Sequence, residues 1–258
     1  MNRYSNIVEN LVEPWSHEYK GGPAIFKGKG IAFFTTGSSL CYAGTVLYEL
    51  SDQEQALDWS RLLAKRYVDT RHPNTGISAF LYNSPGNPLG EDMKDHFSDP
   101  RTSVFPFEPF EATRGISNPD NTQVRPWISL FLVGDMLGEK GKDFTQWALE
   151  EFTAWGKVAY RKKDNAFIPM LTDGTSIEGY VFRDKIQKGI IAKPFFVDLS
   201  FLWGYTVAYR TTSNEFMWQM VRNITFGNKL GDVGETSSHT PKLIIDTNCS
   251  DVYGLLSF

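Results

Sequence analysis

The chain has 258 residues, 41% of them hydrophobic, and a formal net charge of −4 at pH 7 from 30 acidic and 26 basic side chains. This is enough for one sizeable core, and the acidic balance without a long basic run argues against nucleic acid as the main partner. No apolar run reaches the roughly 20 residues of a membrane span, and Met1 to Lys20 lacks the apolar centre of a signal peptide. Cys41 and Cys249 form neither a metal-ligand spacing nor a disulfide framework. Cys41 sits in an apolar helical pattern and reads as packing. Aromatic residues make up 14% of the chain, with seven Trp, a composition that serves a core or a sugar-stacking cleft equally well.

From the N-terminus, Glu13 to Pro23 reads as a loop by its Pro and Gly content, with His17, Glu18 and Tyr19 as its polar and aromatic centre. A first helix follows over Gly37 to Leu50, its stripe set by Leu40, Ala43, Leu47 and Leu50. Ser51-Asp52-Gln53-Glu54 has the pattern of a capping box and opens a second helix carrying Ala56, Trp59, Leu63 and Tyr67. That helix ends in Asp69-Thr70-Arg71-His72-Pro73-Asn74-Thr75-Gly76, since Pro73 disfavours the helical region for His72 and Asn74 and Gly76 suit a turn. Ile77 to Tyr82 then reads as a short strand. Arg71 and His72 thus stand on a sharply turned loop that can aim them into a cleft. They serve equally as solvated cations at a helix C-terminus, with Lys65 and Arg66.

Arg125-Pro126 opens a third helix to Leu137, Gly138 to Gly141 makes a turn, and Lys142 to Tyr160 forms the return helix. A last pair spans Asp198 to Arg210 and Asn214 to Phe226. Tyr48, Ser51 and Glu54 recur at the same offsets as Tyr209, Thr212 and Glu215, each set between two apolar helices. The sequence therefore predicts a mainly α fold, a single domain over residues 1–258 built from a repeat of three helical hairpins. Long inserts follow the second helix of each hairpin, so all should emerge at one end. The second insert carries a predicted β-hairpin, Phe167 to Leu171 and Ile177 to Phe182 about Asp173-Gly174. The third carries Asp232, Glu235 and His239. A closed toroid needs about six hairpins, so three predict an open or incomplete ring. The apolar run at Asp251 to Phe258 reads as the start of a further helix in a truncated chain.

The loop Thr70 to Gly76 after a helical hairpin, with Lys193-Pro194-Phe195-Phe196-Val197-Asp198-Leu199 opening a later helix, resembles the α/α-toroid pectate lyases. The resemblance implies β-elimination of polygalacturonate, an acidic polysaccharide or oligogalacturonide as partner, and a secreted or periplasmic location. It also implies a divalent ion such as Mn or Ca. By that resemblance Arg71 is the catalytic base and His72 a catalytic-site metal ligand, with His17 and Glu18 (or Glu49) as further ligands by type and upstream position. An arginine is an awkward base, because its ordinary pKa of about 12.5 or more keeps it protonated. Arg71 can instead bind the substrate carboxylate, with His72 or Tyr82 nearer the proton.

A polyanion needs local cations, and Arg71, Arg114, Arg125, Lys162, Lys163, Arg183 and Lys193 lie in or beside the inserts. From these we expect Arg114, Arg125 and Arg183, with Tyr180 and Tyr82, to bind substrate. Two alternatives stay open. One is an α/α-barrel glycoside hydrolase using a pair among Glu18, Glu108, Glu111, Asp173, Glu178 and Asp198. The other is a carbohydrate-binding helical repeat without catalysis.

Overall fold

The computed structural model describes residues 34–79, 91–99, 101–106, 123–183, 188–238 and 242–243. Six helices form three hairpins: α1 (Phe34–Ser51) with α2 (Glu54–Val68), α3 (Arg125–Leu137) with α4 (Lys142–Ala154), and α5 (Leu199–Thr212) with α6 (Glu215–Gly227). The hairpins pack side by side in two layers. α1 rests on α3 and α3 on α5, while α2 touches α4 and α4 touches α6. This is the layering of an α/α toroid, first helices in one layer and second helices in the other.

Burial follows the layers. α3 buries Pro126, Trp127, Ile128, Leu130, Phe131, Val133, Gly134 and Leu137, residues spread almost around its circumference, as a helix held between neighbours must. α2 buries only a stripe, Ala56, Leu57, Ser60, Leu63, Ala64 and Tyr67. α1 departs from expectation. Its buried side carries Ser38, Cys41, Thr45 and Tyr48, while Ala43 and Leu50 are exposed. Small residues decide this face: the Ser60 hydroxyl donates to the Cys41 carbonyl (3.1 Å) and the Cys41 thiol reaches the Ser60 carbonyl (3.4 Å). Such contacts need backbones closer than a leucine stripe allows. Burial pushes the Cys41 thiol pKa up to about 12, in keeping with a packing role.

The repeat between Tyr48–Glu54 and Tyr209–Glu215 is present in the backbone, but its chemistry differs from a capping box. Ser51 ends α1 and its hydroxyl donates back to the Leu47 carbonyl (2.6 Å), as Thr212 donates to Ala208 (2.6 Å). The chain then reverses through a left-handed residue at the same offset, Asp52 (φ 53°) and Ser213 (φ 53°). Asn214 caps α6 by accepting from the Phe216 amide (3.0 Å), whereas Gln53 at the start of α2 makes no side-chain cap. Glu54, expected to reach back along its own turn, is held by the Lys140 ammonium (2.7 Å).

Between α3 and α4 the backbones nearly touch. A Cβ added at Gly134 would lie 2.0 Å from Thr145 Oγ1 and 3.1 Å from the Gly141 carbonyl oxygen. Gly134→Ala is expected to cost about 1–3 kcal/mol through overpacking, since the Gly141 backbone cannot step aside. Chemical denaturation checks it, and an unchanged midpoint would show that the hairpin opens without strain.

The inserts build short sheets. β1 (Val104–Phe105) pairs with β4 (Met170–Leu171), Val104 opposite Leu171. β2 (Tyr160–Arg161), β3 (Ala166–Phe167) and β5 (Phe195–Phe196) form a second, antiparallel sheet. β6 (Gly231–Asp232) and β7 (Lys242–Leu243) form the third. The first strand of the predicted hairpin is thus divided between two sheets, β3 in one and β4 in the other, while Met170 still bridges Ser176 and the Ile177 amide donates to the Pro169 carbonyl (2.9 Å) across the turn. The turn at Asp173-Gly174 is nonetheless real, with Gly174 at φ 99° and the Leu171 amide bonded to the Thr175 carbonyl (2.8 Å). The β1–β4 pairing joins the first two inserts at one end, as their common position after second helices predicts. The third adjoins the second through Asn228, whose side-chain amide donates to the Val197 carbonyl (2.9 Å).

Many of the described aromatic rings are core. Phe152 lies 4.9 Å from both Trp155 and Tyr205, and Phe167 lies 4.9 Å from Phe201. A smaller cluster, Val104, Leu171, Ile177, Phe182 and Ala192, supports the joined inserts, with Met93, Phe97 and Tyr180 packed against it.

Candidate functional site

The loop after α2 folds as its sequence dictates. The Thr70 hydroxyl donates to the Tyr67 carbonyl (2.6 Å) and ends the helix. Pro73-Asn74-Thr75 form a turn, and Gly76, at φ 75°, donates its amide to the His72 carbonyl (2.8 Å). Arg71 pairs with Ser78 across the loop in an antiparallel bridge. Successive residues of an extended segment point to opposite sides, and Arg71 and His72 do so.

Arg71 turns into the helical layers. Its Nε donates to Glu151 (3.3 Å), its Nη1 to Glu150 (2.5 Å) and its Nη2 to the Trp147 carbonyl, with the guanidinium 5.7 Å from the Trp127 ring centroid. The side chain is only 15% exposed, so of the two readings left open Arg71 is not the solvated helix-end cation but an anchored one. Glu151 is the centre of this anchor. Its side chain is fully buried and accepts from the Ser78 amide (2.9 Å), the Ser78 hydroxyl (2.8 Å), Trp155 Nε1 (3.0 Å) and Arg71. Burial raises its pKa, against the opposing pull of Arg71 and Ser78. The guanidinium is thus tied to two carboxylates and a carbonyl of α4, an arrangement that fixes its position.

His72 faces the other way, into the joined inserts. Its Nδ1 accepts from the Asn74 amide (3.3 Å) and its Nε2 stands 3.8 Å from Asp99 Oδ2. Arg101 grips Asp99 through Nε (2.9 Å) and Nη2 (2.6 Å), and these donors hold the Asp99 carboxyl below its ordinary range. On the neighbouring turn Asp173 accepts from His96 Nδ1 (2.7 Å) and from the Thr175 amide (2.7 Å). Thr75 Oγ1 donates to the Thr172 carbonyl (2.5 Å), clipping this turn to the His72 loop. Burial holds the His72 imidazole below the ordinary histidine range; Asp99 and Asp173 oppose this and Arg101 adds to it.

This fixes a pH dependence. A histidine that protonates less readily in the folded than in the unfolded chain contributes stability above about pH 6.5 and loses it as pH falls through its lower folded value. His72→Gln is therefore expected to flatten the decline of Tm below about pH 6.5. Melting curves across that range check it, and an unaltered acid slope would assign the decline to other groups.

The remaining expected site residues fall into three sets. Tyr180 and Arg183 reach the same end, Tyr180 in contact with Phe182 at 5.9 Å and Arg183 paired with Asp92 (2.8 Å). Arg125, Lys162, Lys163 and Lys193 are exposed: Arg125 at the first turn of α3, the two lysines beside β2, and Lys193 before β5. His17, Glu18, Tyr82, Glu108, Glu111, Arg114 and His239 lie outside the described residues. Of the carboxylates weighed for hydrolysis, Asp198 caps α5 through the Ser200 amide (3.0 Å) and Glu178 pairs with Arg161 (2.9 Å).

Asp99, Arg101 and His96 did not stand out in the sequence. They lie in an insert with no periodicity, and the β1–β4 pairing, with Thr172 bonded to the Arg101 carbonyl and the Ser103 amide, brings Asp99 and Arg101 to His72 and His96 to Asp173. Among the described residues no group of three or more His, Cys, Asp or Glu side chains is disposed to hold a metal ion. Asp99, the carboxylate 3.8 Å from His72 Nε2, is paired with Arg101, and the other expected ligands, His17 and Glu18, lie outside the described residues. Glu49, an alternative ligand, is exposed on α1.

The family model for periplasmic pectate lyase matches residues 1–258. The chain belongs to the periplasmic pectate lyase family. Among curated proteins it is 24% identical over 228 residues to a pectate disaccharide-lyase of Dickeya dadantii (strain 3937), covering 84% of this chain and 41% of that protein. The chain thus spans less than half the length of that relative. Among solved structures, a cellobiose 2-epimerase from Bacillus thermoamylovorans B4167 matches with a TM-score of 0.45 and 15% identity, over 90% of this chain and 56% of the other. An inactive α-1,6-mannanase variant of Salegentibacter sp. HEL1_6, in complex with α-1,6-mannotriose, matches with a TM-score of 0.41 and 9% identity, over 77% and 47%. Among the described residues no helix of this family member is long and apolar enough to cross a membrane.

Proposed function

We propose that this pectate lyase family member cleaves polygalacturonate by β-elimination, in the periplasm or outside the cell, at the face formed by the first two inserts. The observation that carries the proposal is the family match over residues 1–258. The chemistry requires removal of the C5 proton beside a carboxylate, expulsion of the C4 oxygen, and cations to stabilise the charge that develops on the carboxylate. Arg101, Arg183 and Tyr180 line the same end as His72. The Arg183–Asp92 pair is exposed, and pairs of this kind are worth only about 0–1 kcal/mol, so a substrate carboxylate can replace Asp92 at little cost.

In this reading Arg71 and His72 form the functional loop with unlike tasks. Arg71 supplies positive charge at a fixed position, held by Glu150, Glu151 and the Trp147 carbonyl. His72 presents the loop's polar edge to the inserts. The divalent ion is a proposal carried by His72 with His17 and Glu18, and no step above depends on it. Binding of Mn or Ca to the wild type and to His72→Ala, followed by calorimetry, tests that part by itself.

The function is tested by incubating the chain with polygalacturonate and following ultraviolet absorbance beside new reducing ends. Elimination raises both together. Reducing ends without absorbance would mean hydrolysis, and oligosaccharide retention with neither signal would mean a binding module.

A further inference from the structure

The donor fork of Arg101 is only partly used. Its Nε and Nη2 close side-on upon Asp99, Nε 2.9 Å from Oδ1 and Nη2 2.6 Å from Oδ2, and no hydrogen bond among the described residues engages Nη1. The edge made by Nη1 and the second hydrogen of Nη2 presents two parallel donors, the pattern that matches both oxygens of a carboxylate. We propose that this edge binds the carboxylate of a galacturonate next to the one that is cleaved, and that Arg101 thereby sets a preference for the free acid over its methyl ester. This rests on the lyase reading and deepens it.

Arg101 is built for a fixed contact. Its amide donates to Asp99 Oδ1 (2.9 Å) and the Thr102 amide to the Asp99 carbonyl (3.0 Å), so the guanidinium and its acid share one tight turn. The Arg101 carbonyl accepts from the Thr172 hydroxyl (2.7 Å), and the Thr172 carbonyl accepts from Thr75 Oγ1 (2.5 Å). One fully buried threonine therefore holds Arg101 and the His72 loop in a common frame. The Arg101 side chain is 34% exposed, which leaves it open to a ligand. Arg183 differs, since its side chain is 65% exposed and meets Asp92 through Nη1 without such a bracket.

Geometry, more than charge, gives this edge its selectivity. The groups facing it are Asp99 and His72, with the His96–Asp173 pair on the adjoining turn. Asp99 offsets much of the Arg101 charge, so plain attraction for a polyanion is weak and the paired donors supply the recognition. A free carboxylate offers them two charged oxygens in one plane. A methyl ester offers one carbonyl oxygen, and its methyl group leaves the second donor unpaired. A site that hydrogen-bonds a substrate group rejects the analogue lacking it for this reason. Asp99 Oδ2 lies 3.8 Å from His72 Nε2 and 2.6 Å from Arg101 Nη2, between the loop and the fork. A carboxylate on the free edge therefore belongs to the neighbouring sugar.

The test is Arg101→Gln and Arg101→Lys in the full chain, assayed by ultraviolet absorbance on polygalacturonate and on the same polymer partly methyl-esterified. Gln can still donate to Asp99 and Lys keeps the charge, but neither retains the paired edge. Both are expected to lower kcat/KM on polygalacturonate by about 10-fold or more. The loss should lie in KM, because a neighbouring sugar is held alike in the bound and reacting states. On the esterified polymer the loss should be clearly smaller, so that the variants discriminate less than the wild type, whereas a packing role would lower both rates in proportion. Proportional losses on the two polymers, or an undiminished preference in either folded variant, would overturn the assignment and leave the lyase reading standing. A wild type that releases no unsaturated product from either polymer would overturn both.

Discussion

Glu151→Ala is expected to lose about 3–5 kcal/mol of folding free energy, the largest stability effect of any single substitution considered. The carboxylate is fully buried and serves four donors, and their positions explain the size. Removing it leaves the buried Ser78 amide and the Trp155 indole without acceptors, each worth about 1–3 kcal/mol when unsatisfied. It also strips Arg71 of the better shielded of its two carboxylates. For a domain of this size each kcal/mol shifts Tm by about 2–4 °C, so a fall of about 10 °C follows. Glu151→Gln should fall between wild type and Ala: its carbonyl can still accept from Ser78, while its amide would face Arg71 donor to donor. Thermal melts of the two variants check the order. A Glu151→Ala protein melting with the wild type would show that the loop is not tied to α4 through this carboxylate.

Arg71→Lys is expected to lower elimination by about 100-fold, through loss of position rather than loss of charge. Lysine keeps the positive charge but can reach Glu150 or Glu151, not both together with the Trp147 carbonyl, because its donors radiate from one atom. The loop that carries His72 then loses its fixed register against α4. Because the Arg71 side chain is 15% exposed, a stability loss accompanies the kinetic one, unlike a surface cation exchange. A double-mutant cycle with Glu151→Gln separates anchoring from direct action on the sugar. If Arg71 acts through Glu151, the double variant is no slower than the worse single one. Multiplied losses would show that the guanidinium also touches the substrate.

Sequence by itself determined the helical hairpins. Hydrophobic periodicity and Pro126 placed α3 at Arg125–Leu137, and Pro73 with Gly76 fixed the end of α2 and the turn beyond it. These are local effects of period, ring closure and permitted φ, and they survive whatever the chain packs against. The matched offsets about Ser51 and Thr212 likewise marked a true repeat, although both hydroxyls bond back to their own helix rather than cap the next.

What tertiary structure decided was direction. Which side of α1 is buried depended on the close Cys41–Ser60 contact, which no stripe of leucines foretells. Whether Arg71 is a solvent-facing cation or an anchor depended on Glu150 and Glu151, about 80 residues away in sequence and one turn of extended chain from His72 in orientation. The His72, Asp99, Arg101, His96 and Asp173 groups come together because β1 pairs with β4, and Thr172 bonds Arg101, Ser103 and Thr75, across two inserts that carry no periodic signal. Charge networks between distant segments are set by where the chain returns, and the pairing of Val104 with Leu171 is what returns it.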